Sequence, residues 1–389
     1  MSKKKEILLI TNYFPPEKGA APNRMHSLAT ELGKNGYNVW VACPLPNYPT
    51  GKVFKNYRNK FMVTETEDFG KVFRLWVWPS NSANKIIRLI SMVSFSLSLI
   101  FFFLLKRLPK KVFIQYSPIF VGYTGVFLSK LFSKRIILNV SDLWPLAGKE
   151  MGILNDGFYY SQLLKIEKYC YKNSHLIVGQ SEEILEHISK FDAPDNLFLY
   201  RNIPNFKPKF PKDEIIKGEI KIVYAGLLGV AQGIYQICKK INFSENVTFH
   251  IYGSGPEASQ IEALKKEYIY FHGEVERAVL HEVLQEYHLA FIPLTNRIYG
   301  SVPSKIFEYS RLGLPILYMA GGEGEDLVRE NQLGWTVPVN DFKKLQQFTD
   351  ALTPEMFQHY PKSGIQKKAM DVFNFDTQFT QFVRVLDAV

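Results

Sequence analysis

The stretch NIPNFKPKFPKDEIIKGEIKIVYAG, Asn202–Gly226, changes character part-way along. Up to Glu219 it carries three prolines, many charges and no hydrophobic period, which reads as a linker. From Ile220 it becomes an apolar run ending on glycine, which reads as a strand feeding a loop. Upstream, apolar strand candidates alternate with helical stretches: ILLIT, a helix over 21–34, NVWVAC, FRLWVW, VFIQY, a helix over 121–132, RIILNV, a helix over 154–173, HLIVGQ, a helix from Ser181, and LFLYRN. After the linker the alternation restarts with EIKIVYAG and continues through VTFHIYG, YIYFHG, HLAFIPL, PILYMA and WTVPV.

Such alternation specifies parallel sheets covered by helices. The fold class is therefore α/β: two doubly wound Rossmann-like domains facing across a cleft, with ligands expected at the C-terminal ends of the strands. The expected bounds are 1–203 for the first domain, 204–219 for the linker and 220–371 for the second, with an amphipathic helix over 372–389 packing back on the first. A length of 389 residues agrees, being long for one hydrophobic core.

Composition narrows the function classes. Lysine and arginine total 47 against 37 acidic residues, a formal charge of +10 that favours an anionic partner. Nucleic-acid binding would place arginine and lysine among aromatic residues on exposed strands or along a basic helix, and no such segment occurs. The cysteines Cys43, Cys170 and Cys238 are too scattered for a disulfide framework or a zinc site, and fit a reducing compartment. The eight histidines form no close ligand pair and no Asp-x-Asp occurs, so no essential metal and no cofactor are expected. At the N-terminus, Ile7–Ile10 is too short for a signal peptide and reads as the first strand.

The run LISMVSFSLSLIFFFLL, Leu89–Leu105, has no charge over 17 residues, the lower limit for crossing a bilayer. Arg88 precedes it and Lys106, Arg107, Lys110 and Lys111 follow. Three readings stand: a helix resting on an anionic membrane surface, a core helix, or a span. The strands that follow disfavour the span, which would put half a domain across the membrane.

Several motifs sit at strand ends. In NYFPPEKGAAPNR, Gly19 opens a small-residue loop before a helix, and Arg24 is suited to an anion. YAGLLGVAQG with Gly226, and IYGSGPE with Gly253 and Gly255, place glycine just after strands, either as tight turns or for backbone approach to a phosphate. VSDLWP sets Asp142 at a strand end, either to orient and deprotonate an acceptor hydroxyl or to cap a turn. His272 in FHGEV follows a strand, beside a base or as a structural histidine. In SVPSKIFEYSRLGLP, Pro303 suits a first helical position and Lys305 adds charge to the exposed N–H groups, a phosphate site unless the helix is merely solvated. Glu308 lies one turn on and could accept from sugar hydroxyls.

Together with PLPNYPTGKVF and HGEVER, and in this order along nearly the whole chain, these motifs resemble the GT-B glycosyltransferases of family 4, in particular the WbuB-like branch that builds O-antigen and capsule. The resemblance implies a retaining, metal-independent transfer of a sugar, with an N-acetylamino sugar as one class, from a nucleotide donor, UDP above all. The implied acceptor is a polyprenyl-diphosphate-linked glycan, and the implied location is cytoplasmic, peripheral on the inner face of a bacterial cell membrane. It matches Glu308 to the glutamate that holds the donor ribose, and Ser304 and Lys305 to the phosphate-facing helix start. Gly253 and Gly255 match the nucleotide loop, Gly273, Glu274 and Val275 the base-contacting turn, and Gly19 the first-domain loop at the donor phosphates. Asp142 falls where acceptor-side or catalytic polar groups lie, and Arg88, Lys106, Arg107, Lys110 and Lys111 would face membrane and acceptor.

Three positions depart from the family pattern. Gly300 stands where a first glutamate is usual, and Leu227 and Gln232 replace the arginine and lysine that hold the diphosphate. Lys305, the helix dipole and Arg201 or Arg297 are the available substitutes. A UDP-sugar 2-epimerase on the same fold, and a catalytically silent subunit of a membrane complex, are the rival readings.

Overall fold

The computed structural model describes residues 5–48, 50–80, 85–191 and 196–389. The chain divides into two compact units, Met1–Arg201 with Gln378–Val389, and Asn202–Thr377.

The first unit runs β1 (Lys5–Ile10), α1 (Ala20–Lys34), β2 (Tyr37–Pro44), β3 (Met62–Glu67), β4 (Gly70–Leu75), α2 (Lys85–Leu105), β5 (Lys111–Gln115), α3 (Ile119–Leu131), β6 (Arg135–Val140), α4 (Leu146–Glu150), α5 (Phe158–Lys172), β7 (Leu176–Gly179), α6 (Glu182–Ser189) and β8 (Leu197–Leu199). Its described strands form one sheet in the order β3-β4-β2-β1-β5-β6-β7-β8. Ile7–Ile10 and Ile136–Leu138 are fully buried, because helices cover both faces, and this is why these strands read as unbroken apolar runs. Only β3 runs antiparallel, paired with β4. The sequence gives no strand signal there, since MVTETE lies at the sheet edge and buries none of its residues. Ser181 caps α6 as expected, its hydroxyl accepting from Ile184 N at 3.2 Å.

Helix α2 is two-faced. Phe95, Leu99, Phe102 and Phe103 are buried, whereas Val93, Leu97, Phe101 and Leu104 are exposed. Two of the serines that dilute its apolar run are attachment points. Ser94 Oγ accepts from Trp78 N at 2.8 Å, and Ser98 Oγ donates to Trp76 O at 2.7 Å. Among the described residues no helix is long and apolar enough to cross a membrane.

The second unit runs β9 (Ile220–Ala225), α7 (Ile234–Lys240), β10 (Val247–Tyr252), α8 (Ala258–Ala263), β11 (Ile269–Gly273), α9 (Arg277–Leu284), β12 (Leu289–Pro293), α10 (Lys305–Arg311), β13 (Ile316–Met319), α11 (Glu323–Glu330), β14 (Gly334–Thr336), α12 (Phe342–Ala351) and α13 (Lys362–Val372). Its parallel sheet has the order β11-β10-β9-β12-β13-β14, a doubly wound arrangement whose strand order reverses between β9 and β12. The last helix, α14 (Phe375–Ala388), starts in the second unit and from Gln378 belongs to the first. There Phe382 is fully buried against Phe113, Phe198 and Tyr200. Gln378 holds both backbone groups of Arg201, at 2.9 and 3.0 Å.

Candidate active site

In the second unit the loops leaving β9, β10 and β11 interlock through glycines. Gly226 N donates to Tyr252 O at 2.9 Å, Gly253 N to Gly273 O at 2.7 Å, and Leu228 N to Ser254 O at 2.9 Å. A Cβ on Gly253 would lie 1.8 Å from Gly226 O, and one on Gly255 2.4 Å from Leu228 O, so only glycine lets these backbones approach. Ser254 Oγ donates to Glu274 Oε2 at 3.1 Å, joining the second loop to the third. Gly226, Gly253, Gly255, Gly273 and Glu274 thus form one backbone-rich surface at the switch point of the sheet, with half-buried Val275 following.

Lys305 reaches this surface from the start of α10. Its Nζ lies 4.0 Å from the centroid of the Tyr224 ring, and a Cβ on Gly226 would come within 2.1 Å of it. The ammonium therefore fills the space that the missing side chain of Gly226 leaves, with a cation–π contact beneath it. Burial lowers its pKa to about 8, against the opposing pull of Glu308. The helix itself begins later than the sequence suggested. Pro303 sits ahead of α10 and accepts from Ile306 N at 3.1 Å, while Ser304 occupies the N-cap without a side-chain bond. A proline ring can lead the chain into such a turn, and the first regular helical residue is Lys305.

Glu308 is half-buried, and its Oε1 bonds His281 Nε2 on α9 at 2.8 Å. Phe206 packs on the His281 ring, centroids 4.4 Å apart. Arg311 anchors the far end of α10, donating to Phe206 O at 2.7 Å and Phe373 O at 3.4 Å. His281 and Phe206 escaped the sequence reading because no local spacing ties them to Glu308. His272, a candidate neighbour of a base, instead pairs with His250, Nε2 to Nδ1 at 3.0 Å, and stacks on Tyr252.

In the first unit, Gly19 is the N-cap of α1 at φ 139°, and Asp142 stands exposed at the end of β6. Arg24, expected to meet an anion, donates to Gln180 Oε1 at 3.2 Å, and Gln180 in turn donates to Ser141 O. Burial disfavours the charge on Arg24 and the nearby carboxylate of Asp142 restores part of it. Glu17 is buried in the loop after β1 and accepts from Asn47 N and Tyr48 N at 2.8 and 2.9 Å, tying that loop to the one after β2.

Lys106, Arg107 and Lys110 are exposed after α2. Lys111 Nζ donates to Leu386 O at 2.5 Å and Asp387 O at 3.4 Å, so it secures α14. The side chain of Arg88 lies outside the described residues.

Comparison with solved structures decides the architecture. A sucrose-phosphate synthase from Thermosynechococcus elongatus superposes with a TM-score of 0.75 at 16% identity, over 99% of this chain and 100% of that one. HepE from Anabaena in complex with UDP-glucose gives 0.69 at 12% identity, over 99% and 100%. WaaG, a glycosyltransferase involved in lipopolysaccharide biosynthesis, gives 0.62 at 11% identity, over 94% and 95%. The fold is GT-B.

Within this GT-B frame, residues 218–353 match the family described as glycosyl transferases group 1, a segment that contains the glycine loops, Lys305 and Glu308. No curated protein matches the chain. The departures seen in the sequence are visible in the GT-B chain as altered surfaces. Leu227 is 60% exposed where a cation was expected, and Gln232 buries its Oε1 with no partner among the described residues. Gly300 is buried at φ 80°. Of the proposed substitutes, Arg297 lies in the β12–α10 loop with its guanidinium 6.0 Å from the Tyr299 ring, and Arg201 belongs to the first unit.

Proposed function

We propose that this chain is a retaining glycosyltransferase that moves a sugar from a UDP-linked donor to a polyprenyl-diphosphate-linked glycan in bacterial surface polysaccharide assembly, at the inner face of the cell membrane. One observation carries the donor site: the Lys305 ammonium lies against Gly226, on a surface of close-packed glycine backbone, one helical turn from the carboxylate of Glu308. A diphosphate is the ligand that such a cation and bare backbone N–H groups suit. The match to glycosyl transferases group 1 supports the reaction class. The UDP-glucose named with HepE supports the carrier, and the lipopolysaccharide role named with WaaG supports the setting.

In this reading Lys305 meets the charge that develops on the departing diphosphate, and Glu308, oriented by His281, accepts from the ribose hydroxyls. The bond from the sugar's anomeric carbon to the diphosphate breaks as the acceptor oxygen bonds from the same face. The acceptor proton leaves to the diphosphate oxygen, with Asp142 as the group that orients the hydroxyl. The chemistry asks for no metal, since fixed positive groups take its place.

Calorimetric titration with UDP, GDP, ADP and NAD tests the reading. Binding of UDP alone, lost in Lys305→Ala and weakened at least tenfold or so in Glu308→Ala, is the expected result. No binding by any of them would overturn it. Leu227 and Gln232 would then outweigh the matching motifs, and a silent subunit would be the better description.

A further inference from the structure

The motif PLPNYPTGKVF starts on the last residue of β2 and leads into the loop beyond it, at the C-terminal edge of the first sheet. Strands β1, β2, β5 and β6 run parallel, so the same edge carries the loop after β1 and, at the end of β6, Asp142. Two buried charges join the β1 and β2 loops. Glu17, 4% exposed, accepts from the backbone of Asn47 and Tyr48. Arg74, buried on β4, donates through Nη2 to Pro15 O at 2.5 Å and through Nε to Glu65 Oε2 at 2.6 Å, while Glu65 Oε1 accepts from Tyr57 OH at 2.7 Å. Burying a carboxylate and a guanidinium is costly unless both are well bonded, and joining two surface loops requires neither charge.

What these ties hold in place is a pair of aromatic rings. Tyr13 and Tyr48, one from each loop, meet edge to face with centroids 5.6 Å apart. Tyr13 N donates to Thr11 Oγ1 at 3.2 Å, and Thr11 Oγ1 donates to Gln115 Oε1 at the end of β5, which anchors the first ring's backbone to the sheet. Tyr48 is 43% exposed, and an edge-to-face contact covers only one face of one ring. A pyranose has electron-poor C–H bonds on its faces and hydroxyls around its rim. The former suit the negative face of an aromatic ring and the latter suit phenol hydroxyls and loop backbone. Arg74 has its guanidinium committed to Glu65 and Pro15, so the pair suits a neutral ring better than a phosphate.

In the sheet β1 stands two positions and β2 three positions from β6. The strands that launch the two rings therefore lie roughly 10–14 Å from the strand that ends at Asp142, too far for one sugar to reach both. We propose that the Tyr13–Tyr48 pair is a platform for an inner ring of the acceptor, so that the acceptor is a glycan of at least two rings whose attacking hydroxyl lies at Asp142. The proposal rests on the reading of the chain as a glycosyltransferase with Asp142 on the acceptor side. Glu17 is then a positioning residue, since it acts on the acceptor through the loop that carries Tyr48. The platform also sets the place of the reaction: at least one sugar transfer onto the first lipid-linked ring must precede it.

A printed panel of bacterial surface glycans of one, two and three rings, probed with the full labelled chain in the presence of UDP, tests the assignment. The wild-type chain should bind glycans of two or three rings and leave the single rings unbound. Tyr48→Ala should lower that signal about tenfold, whereas Tyr48→Phe, which keeps the ring, should retain it. Glu17→Ala should match Tyr48→Ala, because it frees the loop that carries the ring. Phe210→Ser, which removes a different ring that is 88% exposed, should leave binding unchanged. UDP titration should be the same for every variant, since the glycine loops and Lys305 lie in the second unit.

If UDP binds but single rings are held as well as longer glycans, or no glycan is held, the platform is wrong and the transferase reading survives. Unchanged glycan binding in Tyr48→Ala would overturn the platform in the same way. A loss in Phe210→Ser equal to that in Tyr48→Ala would reduce the contact to general adhesion of exposed rings, and it too would overturn the proposal. If neither UDP nor any glycan binds, the transferase reading falls and the platform falls with it.

Discussion

Lys305, the proposed diphosphate-binding residue, weakens the fold that holds it. Its amine is half-buried and its pKa lies near 8, below the ordinary lysine value, because desolvation outweighs the attraction of Glu308. The unfolded chain therefore binds more protons than the folded one between about pH 8 and 10.5, so the penalty is fully present below pH 8 and relieved as pH rises. Lys305→Met should raise stability at pH 7 by roughly 1–3 kcal/mol while abolishing UDP binding, which thermal melting and calorimetry would show together. For the unaltered chain, UDP affinity should decline between pH 7 and 9 as the amine loses its proton, and the Met variant should lack that dependence. The roles of Lys305 and Glu308 were suggested by their place in one short motif. His281 was not, because its bond to Glu308 joins two helices that come together only in the folded unit.

Among elements, the glycine loops are where local chain chemistry and site geometry coincide. Gly253 has φ 142° and its missing Cβ is the space taken by Gly226 O, so Gly253→Ala combines backbone strain with a steric clash. A loss on the order of 2–3 kcal/mol in chemical denaturation, with UDP affinity falling more than about tenfold, is the expected outcome. The buried parallel strands were legible because each is apolar on both faces. The edge strand β3 lacks that pattern, and α11 is rich in acidic residues with few apolar ones to set a helical period. Helix α2 shows the opposite difficulty. Its apolar run was plain, but only the structure reveals that one side fills the core and the other is left uncovered.

For the whole molecule, the division into two units was visible at the proline-rich segment, and the amphipathic end of the chain suggested the return of α14. What the sequence lacked was the depth of that return, since Phe382 finds its aromatic partners on β5, on β8 and just after β8, far away along the chain. Phe382→Ala should cost about 3–5 kcal/mol, seen as earlier melting of the first unit, with UDP binding by the second unit unchanged at low temperature. The first unit is thus discontinuous, interrupted by all of Asn202–Thr377. On the ribosome its eight described strands emerge well before the helix that covers Phe113, with a delay of roughly 10–35 s for the intervening residues. Translation order is therefore inverted relative to completion: the second unit can finish folding while the first still waits with an open apolar face, and that nascent interval is when a chaperone would be needed.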